Sequence, residues 1–249
     1  MIVNYTEQGW EIITQRAHGL LAAQLAMQWK TVNRPKRWTE TVIAIAGHDD
    51  AQTELDEDDL LTPQGGPVNF DMKLFEAERC KRLLDFSLSR SRYTALLASM
   101  HMSFLYQKEA NKPEVKAFLK EQQALQKQWC KQLNISQAEA DNIYGFLEWC
   151  DAFSLLLCRH EVQPEHRLIE ISKGGGEHCY TLQQGKKGEL DVSPWPFEVN
   201  EFEVQIEYRI IPQLQFKNPQ DFRTQFLKAE VQERSWVLKN QNTAQHASK

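Results

Sequence analysis

Cysteine is scarce in this chain and has no pairing pattern: Cys80, Cys130, Cys150, Cys158 and Cys179 make an odd set without a Cys-x-x-Cys spacing. That argues against a disulfide framework and for a reducing compartment, so a cytoplasmic location is expected. Long apolar runs are also missing. No segment approaches the ~20 residues needed to span a bilayer, and the opening MIVNYTEQGW lacks the basic start and apolar stretch of a signal peptide. Positive charge is not in excess either. Lys and Arg total 29 against 34 Asp and Glu, a net charge of −5, so neither nucleic acid nor an anionic membrane is expected as a partner. Three catalytic signatures are absent: a Gly-rich phosphate loop followed by Lys, a serine-nucleophile elbow, and a cysteine with a convincing histidine partner.

What is present is enough apolar material for a proper core. Of 249 residues, 41% are apolar, with 7 Trp, 12 Phe and 6 Tyr, which suits one large domain or two modest ones. Helical periodicity dominates residues 11–29, 37–50, 72–90, 91–110, 114–133 and 138–160, the last opened by Ser136 with Glu139 in the pattern of a capping box. After Pro164 the texture changes to short runs separated by glycines. FEVQIEYRII (202–211) alternates so that Phe202, Val204, Ile206, Tyr208 and Ile210 share a face, and NPQDFRTQFLKA reads as a short helix before a last strand at 231–238. The expected fold is α+β: a mainly α-helical bundle followed by a small antiparallel β appendage. The expected division is a helical metal-binding domain at 1–160, a β-rich subdomain at 161–240 and a disordered tail at 241–249. WPF (195–197) is expected to staple the sheet to the helices.

The stretch AIAGHDD (44–50) ends a small apolar run in a histidine and two aspartates. Burying such groups without a partner is expensive. The same oddity recurs along the chain. On helices, where residues three and four apart share a face, His18 falls in line with Leu21, Ala22 and Leu25. His101 falls in line with Leu97, Ala98 and Phe104, and Asp151 with Leu147, Ser154 and Leu155. One histidine on an apolar stripe is usually a hydrogen-bonded core residue, and one buried aspartate usually caps a helix or pairs with arginine. Imidazole and carboxylate together, spread over several helices, are the ligand types and the layout that a Zn, Fe or Mn site requires.

The order His18, then adjacent His48-Asp49, then a distant Asp151 resembles the HD-domain superfamily of metal-dependent phosphohydrolases. The whole chain also resembles an uncharacterised bacterial family of about this length, sharing AHGLLAAQLA, AIAGHDD, SMHMSFL and CDAFSLLLC. The HD resemblance covers residues 10–160. It implies that His18, His48, Asp49 and Asp151 are ligands for one or two divalent ions (Mn, Fe, Zn or Co), with Asp49 bridging if there are two. It further implies a metal-activated water acting on a small phosphorylated substrate, a phosphate ester or nucleotide. Asp50 is then an accessory carboxylate at the rim. His101 is a further ligand, a phosphate contact or a general acid, and Arg16 and Arg37 are candidate phosphate contacts. The loop 51–71 is a candidate lid, its ELDEDD block expected in solvent. Two other readings compete: an HD-type di-iron oxygenase, which His101 keeps alive, and a non-catalytic binding or sensor protein that uses the metal as structure. The sequence carries no signal for an oligomeric state.

Overall fold

The computed structural model describes residues 1–50, 55 and 59–241. The chain opens with two strands, β1 (Ile2–Thr6) and β2 (Gly9–Ile13). Six helices follow: α1 (Gln15–Met27), α2 (Trp38–Ala46), α3 (Ala77–Arg90), α4 (Arg92–Tyr106), α5 (Pro113–Leu133) and α6 (Gln137–Cys158). Then come β3 (Ile169–Glu170), β4 (Thr181–Gln184), β5 (Leu190–Ser193), β6 (Glu201–Ile211), α7 (Pro219–Lys228) and β7 (Val231–Lys239).

The helix ends are set by local chemistry. Thr14 accepts the Ala17 N–H at the start of α1, and Ser136 accepts the Glu139 N–H at 3.1 Å at the start of α6. Ser91 and Thr94 form a reciprocal capping box for α4. At α7, Asn218 accepts the Asp221 N–H and Pro219 occupies the first turn, where its missing N–H is no loss. Helix α1 therefore begins at Gln15, four residues later than its periodicity suggests. Ile12 and Ile13 fit both a helical and a strand period, and Thr14 decides between them.

The sheet corrects the expected fold class. It has seven strands in the order β1-β2-β6-β7-β5-β4-β3 and is too substantial to be a small appendage. Nor is it purely antiparallel, because β5 pairs parallel with β7. The N-terminal hairpin supplies two of the strands: β2 joins the edge of β6 with Trp10 opposite Ile211 and Ile12 opposite Arg209. Periodicity concealed this because each short strand shows only two or three inward residues, too few for a sustained alternation.

One face of the sheet is covered by helices, and the other only beside the N-terminal hairpin. On one, Ile2, Ile13, Val204, Ile206, Leu182, Val192 and Leu238 pack with Leu21, Leu25, Trp149, Phe153 and Leu157 of α1 and α6. On the other, Met1, Ile12 and Ile211 pack with Phe216 and with Phe222 and Phe226 of α7. The alternation expected of β6 holds through Val204 and Ile206, and Ile211, of opposite parity, turns to the α7 face. Trp195 and Phe197 do staple the sheet to the helices: Phe197 lies 6.2 Å from Trp29 and 5.9 Å from Trp149, ring centre to ring centre. Helices α3, α4 and α5 form an outer layer through Leu83, Ala98 and Met102 and through Leu96, Met100 and Trp129. The five cysteines are free. Among the described residues no helix is long and apolar enough to cross a membrane. The tail from 242 on and most of the ELDEDD block lie outside the described residues.

One polar cluster ties the end of α6 to the sheet. Glu11 on β2 is 1% exposed and receives Arg234 of β7 at 2.6 and 3.2 Å, His160 at 2.7 Å and Asn4 at 3.0 Å. Asn4 also donates to the Cys158 carbonyl at 2.8 Å. Burial by itself would raise the Glu11 carboxyl, but the bonds from His160, Arg234 and Asn4 outweigh it and bring the group from 4.5 down to about 2. A depressed carboxylate contributes stability that is complete above about pH 4.5 and fades as the pH falls toward 2. Glu11→Gln is therefore expected to lower the unfolding free energy by about 3 kcal/mol at pH 7. In urea titrations the difference from the parent should shrink at pH 3. An equal difference at both pH values would contradict the assignment.

Candidate metal centre

Four segments deliver the site. His18 projects from α1, His101 from α4 and Asp151 from α6, and His48 and Asp49 lie in the turn after α2. Helix α2 ends at Ala46, so AIAGHDD is a helix end followed by a turn rather than one continuous helix to residue 50. Gly19 makes the approach of α1 and α2 possible. A Cβ there would stand 2.3 Å from the Ala46 carbonyl oxygen, well inside contact distance. His18 and His48 flank that crossing, one on α1 and the other just past α2, and are 0% and 1% exposed.

The Nε2 atoms of His18 and His48 are 3.1 Å apart, and Oδ1 of Asp151 lies 3.0 Å from the first and 3.2 Å from the second. The opposite sides of both rings decide what these atoms are. Nδ1 of His48 is 2.7 Å from the Ile45 carbonyl oxygen, which can only accept, so that nitrogen carries a hydrogen. Nδ1 of His18 is 2.8 Å from Ser154 Oγ. The Ser154 hydroxyl gives its own hydrogen to the Asp151 carbonyl at 2.9 Å, so it too acts as acceptor toward the ring. In neutral rings both Nε2 atoms then present lone pairs to each other and to a carboxylate. Three acceptors facing one point need a metal ion or an extra proton there.

The dimensions fit a metal ion. With bonds of about 2.1 Å, ligand atoms are separated by about 3.0 Å on an octahedral face and about 3.4 Å on a tetrahedral one, and the observed edges of 3.0, 3.1 and 3.2 Å fall between. Asp49 approaches from the solvent side, with Oδ2 at 3.5 Å from His48 Nε2 and held by Gln15 Nε2 at 2.7 Å. His101 stacks edge-on against His48 at 5.0 Å, with Nε2 at 4.0 Å from Asp49 Oδ1 and Nδ1 at 3.4 Å from the Tyr144 hydroxyl. Two sets, His18/His48/Asp151 and His48/Asp49/His101, can hold a metal ion. With only protons available, burial disfavours the charged form of His48, but Asp49 and Asp151 outweigh it and push its pKa up to about 10. The same pairing holds Asp151 well below the carboxylate range against its own burial. Burial moves His101 the other way, down from 6.5.

Asp49 and Gln15 open onto a pocket of about 570 Å³. Its walls are Phe70, Leu74, Leu83, Met102, Leu105 and Tyr106, and it is also lined by Lys73, Arg79, Lys108 and Lys112. A larger hollow between Trp29, Phe146 and Tyr180 contains none of the site residues.

Of the residues singled out in the sequence, His18, His48, Asp49, His101 and Asp151 are brought together. Asp50 stands beside them in a different arrangement, clamped by Arg16 Nε at 2.5 Å and Arg90 Nη2 at 3.3 Å. Arg16 is thus engaged at the turn. Arg37 precedes the first residue of α2, a nine-residue helix about 13 Å long whose far end carries His48. It pairs there with Glu40 at 2.8 Å. Of the loop 51–71, Phe70 and Asp71 reach the pocket, and residues 51–54 and 56–58 lie outside the described residues. Sequence reasoning passed over Gln15, Tyr144, Gly19 and the pocket lysines. Gln15, three residues before His18 on the same face, was open to the helical argument that found His18. The lysines were not, since Lys73, Lys108 and Lys112 all lie in segments between helices.

A family model described as Protein of unknown function (DUF3891) matches residues 1–213, which include every residue of the cluster. No curated protein and no solved structure matches the chain.

The close helix crossing makes a direct prediction. Gly19→Ala gains about 1 kcal/mol of helix propensity but places a methyl group on a backbone carbonyl, an overpacking worth about 1–3 kcal/mol or more. The variant is expected to melt at a lower temperature than the parent and to bind Mn²⁺ at least about tenfold more weakly, because α1 and α2 must separate. An unchanged melting temperature with unchanged affinity would show that the crossing does not set the site.

Proposed function

We propose that this chain, which belongs to the DUF3891 family, is a metal-dependent hydrolase of a small phosphate ester or nucleotide, built on an HD-type centre. The observation that carries the reading is the convergence of the His18 and His48 Nε2 atoms and Asp151 Oδ1 within 3.0–3.2 Å, with both Nδ1 hydrogens fixed elsewhere. The chain order His18, His48-Asp49, Asp151 supports it independently. Imidazole with carboxylate suits Mn, Fe, Zn or Co. A bound ion of this kind supplies a water of lowered pKa and polarises a phosphoryl oxygen.

The protein's own groups have distinct tasks. Ile45 and Ser154 keep the two imidazoles turned with Nε2 inward, and Gln15 orients Asp49 at the boundary between cluster and pocket. Asp49 is the one carboxylate of the cluster that also lines the pocket, so it is placed to touch both metal and substrate. Asp50, Arg16 and Arg90 brace the turn that carries His48 and Asp49. A second reading, two ions per chain with Asp49 between them and His101 on the second, rests on the nearness of Asp49 and His101, since His48 has one free nitrogen and can serve only one ion; with iron in both positions the protein would be an HD-type oxygenase.

Metal analysis by mass spectrometry on the purified full chain tests the reading. Near-stoichiometric metal is expected in the parent and less than about a tenth of it in His48→Ala and Asp151→Ala, both checked for folding. Ser154→Ala, which frees the His18 ring, is expected to bind about 10–100-fold more weakly rather than not at all. The metal-loaded parent should release inorganic phosphate from aryl phosphates. Absence of metal after supplementation, with the variants folded, would overturn the proposal, and two irons per chain would put the oxygenase first.

A further inference from the structure

Resting on the hydrolase reading, we propose that the pocket beside Asp49 takes an uncharged, apolar leaving group, so that the substrate is the phosphate monoester of an aliphatic or aromatic alcohol and not a nucleotide. The pocket measures about 570 Å³, a size that suits a small ligand, and Asp49 and its partner Gln15 belong to its lining. A phosphate ester bound at the metal therefore shares one cavity with whatever the rest of the lining recognises. The apolar part of that lining is Phe70, Leu74, Leu83, Met102, Leu105 and Tyr106. Leu74 and Leu105 are 71% and 43% exposed. Single exposed leucines are ordinary on a protein surface. Two that line one concavity together with aromatic rings and a methionine form a surface that an apolar group would remove from water. The wall is also backed from behind: the Tyr106 ring packs on Phe75 at 5.0 Å, and Phe75 on Phe118 at 5.2 Å.

The polar side chains of the lining are engaged within the protein. Gln15 donates to Asp49 at 2.7 Å, and the Tyr106 hydroxyl is bonded to the Cys80 thiol. Glu109 is 2.5 Å from Lys112, Asp71 is 3.8 Å from Arg159 and Lys73 is 3.5 Å from Asp59. Arg79 has interactions of its own beside Cys80, and Lys108 is exposed to solvent. A nucleotide would bring in ribose hydroxyls and a base with a hydrogen-bonding edge. Every side-chain amide and hydroxyl of the lining is already committed, and polar groups buried without partners weaken binding. An alkyl or aryl group needs no such partner and is stabilised by the apolar wall. In hydrolysis the water oxygen bonds to phosphorus, the P–O ester bond breaks and a proton passes to the leaving oxygen. The products are inorganic phosphate and an uncharged alcohol or phenol.

The test uses the full chain loaded with Mn²⁺. Ethyl-, butyl- and hexylphosphonate, which cannot be hydrolysed, give affinity by calorimetry, and the corresponding phosphate esters give turnover by phosphate release. Affinity is expected to rise at least about twofold per added methylene, toward the roughly fourfold of complete burial. The phosphonate analogue of adenosine monophosphate should bind no better than ethylphosphonate. In Leu74→Ser/Leu105→Ser, checked for folding by its thermal melt, the rise should fall to about 1.3-fold or less per methylene. Leu74→Ser alone, at a largely exposed side chain, should show part of the same loss. Equal affinities along the series, no binding of any phosphonate, a nucleotide analogue as tight as hexylphosphonate, or a rise that survives the double substitution would overturn the apolar leaving group. Phosphate release from all three esters with a flat series would overturn it while leaving the hydrolase standing. A rising series without phosphate release would do the reverse, keeping the pocket assignment and removing the hydrolase.

Discussion

Two imidazole nitrogens and a carboxylate oxygen meet at about 3 Å where both rings are buried, and each imidazole hydrogen is already committed on the far side of its ring. Such an assembly is repulsive unless a metal ion or an extra proton sits within it. Much of the surrounding structure serves that constraint. Gly19 lets α1 and α2 touch, the helix end at Ala46 leaves the Ile45 carbonyl available to His48, and one turn of α6 spaces Asp151 and Ser154 so that one faces the cluster and the other holds His18. Removal of any one partner would leave a buried polar group facing its neighbours unsatisfied, which is a larger penalty than the loss of a single bond.

The sheet supplies the rigidity that these helices lack by themselves. Helices α1 and α6 are seated on one sheet face by Leu21, Leu25, Phe153 and Leu157 against Ile13, Val204 and Ile206. The end of α6 is tied down by the Glu11 cluster through Asn4 and His160. Since Glu11 lies on β2 and Arg234 on β7, with β6 between them, the N-terminal hairpin and the last strand meet at the helix that bears Asp151. Fold and site are coupled here: the N-terminal hairpin contributes nothing to the cluster itself but fixes the helix that does. The outer helices α3 and α4 perform the complementary task, helping to line a pocket beside Asp49 with apolar and cationic side chains.

Much of this was legible in the sequence because it is local. Helical periodicity located the helices, and the caps at Ser136 and Asn218 are contacts within three residues. The misfit of His18, His48, His101 and Asp151 on apolar stripes is visible without knowing what lies opposite, because burying such a group is costly whatever the neighbour. The alternation of Val204 and Ile206 is local in the same sense. The first two strands were not legible, since IVNYT and GWEII have too few residues for either period to prevail, and the pairing of β2 with β6 spans about two hundred residues of chain.

Tertiary structure alone decided which of the candidate groups meet. Residue type and order marked six histidines and aspartates as suspects, and nothing in those letters put the His18 and His48 nitrogens 3.1 Å apart while sending Asp50 to Arg16 and Arg90 and Arg37 to Glu40. The orientation of each imidazole depends on acceptors far away in sequence or on a particular helix end. The pocket lysines come from segments with no shared pattern. By itself, the sequence determined the chemistry on offer, because ligand type and burial pattern are properties of single residues and their helical neighbours. The distances, tautomers and pocket were settled only by packing, because they depend on surfaces that do not exist until the helices and the sheet close on one another.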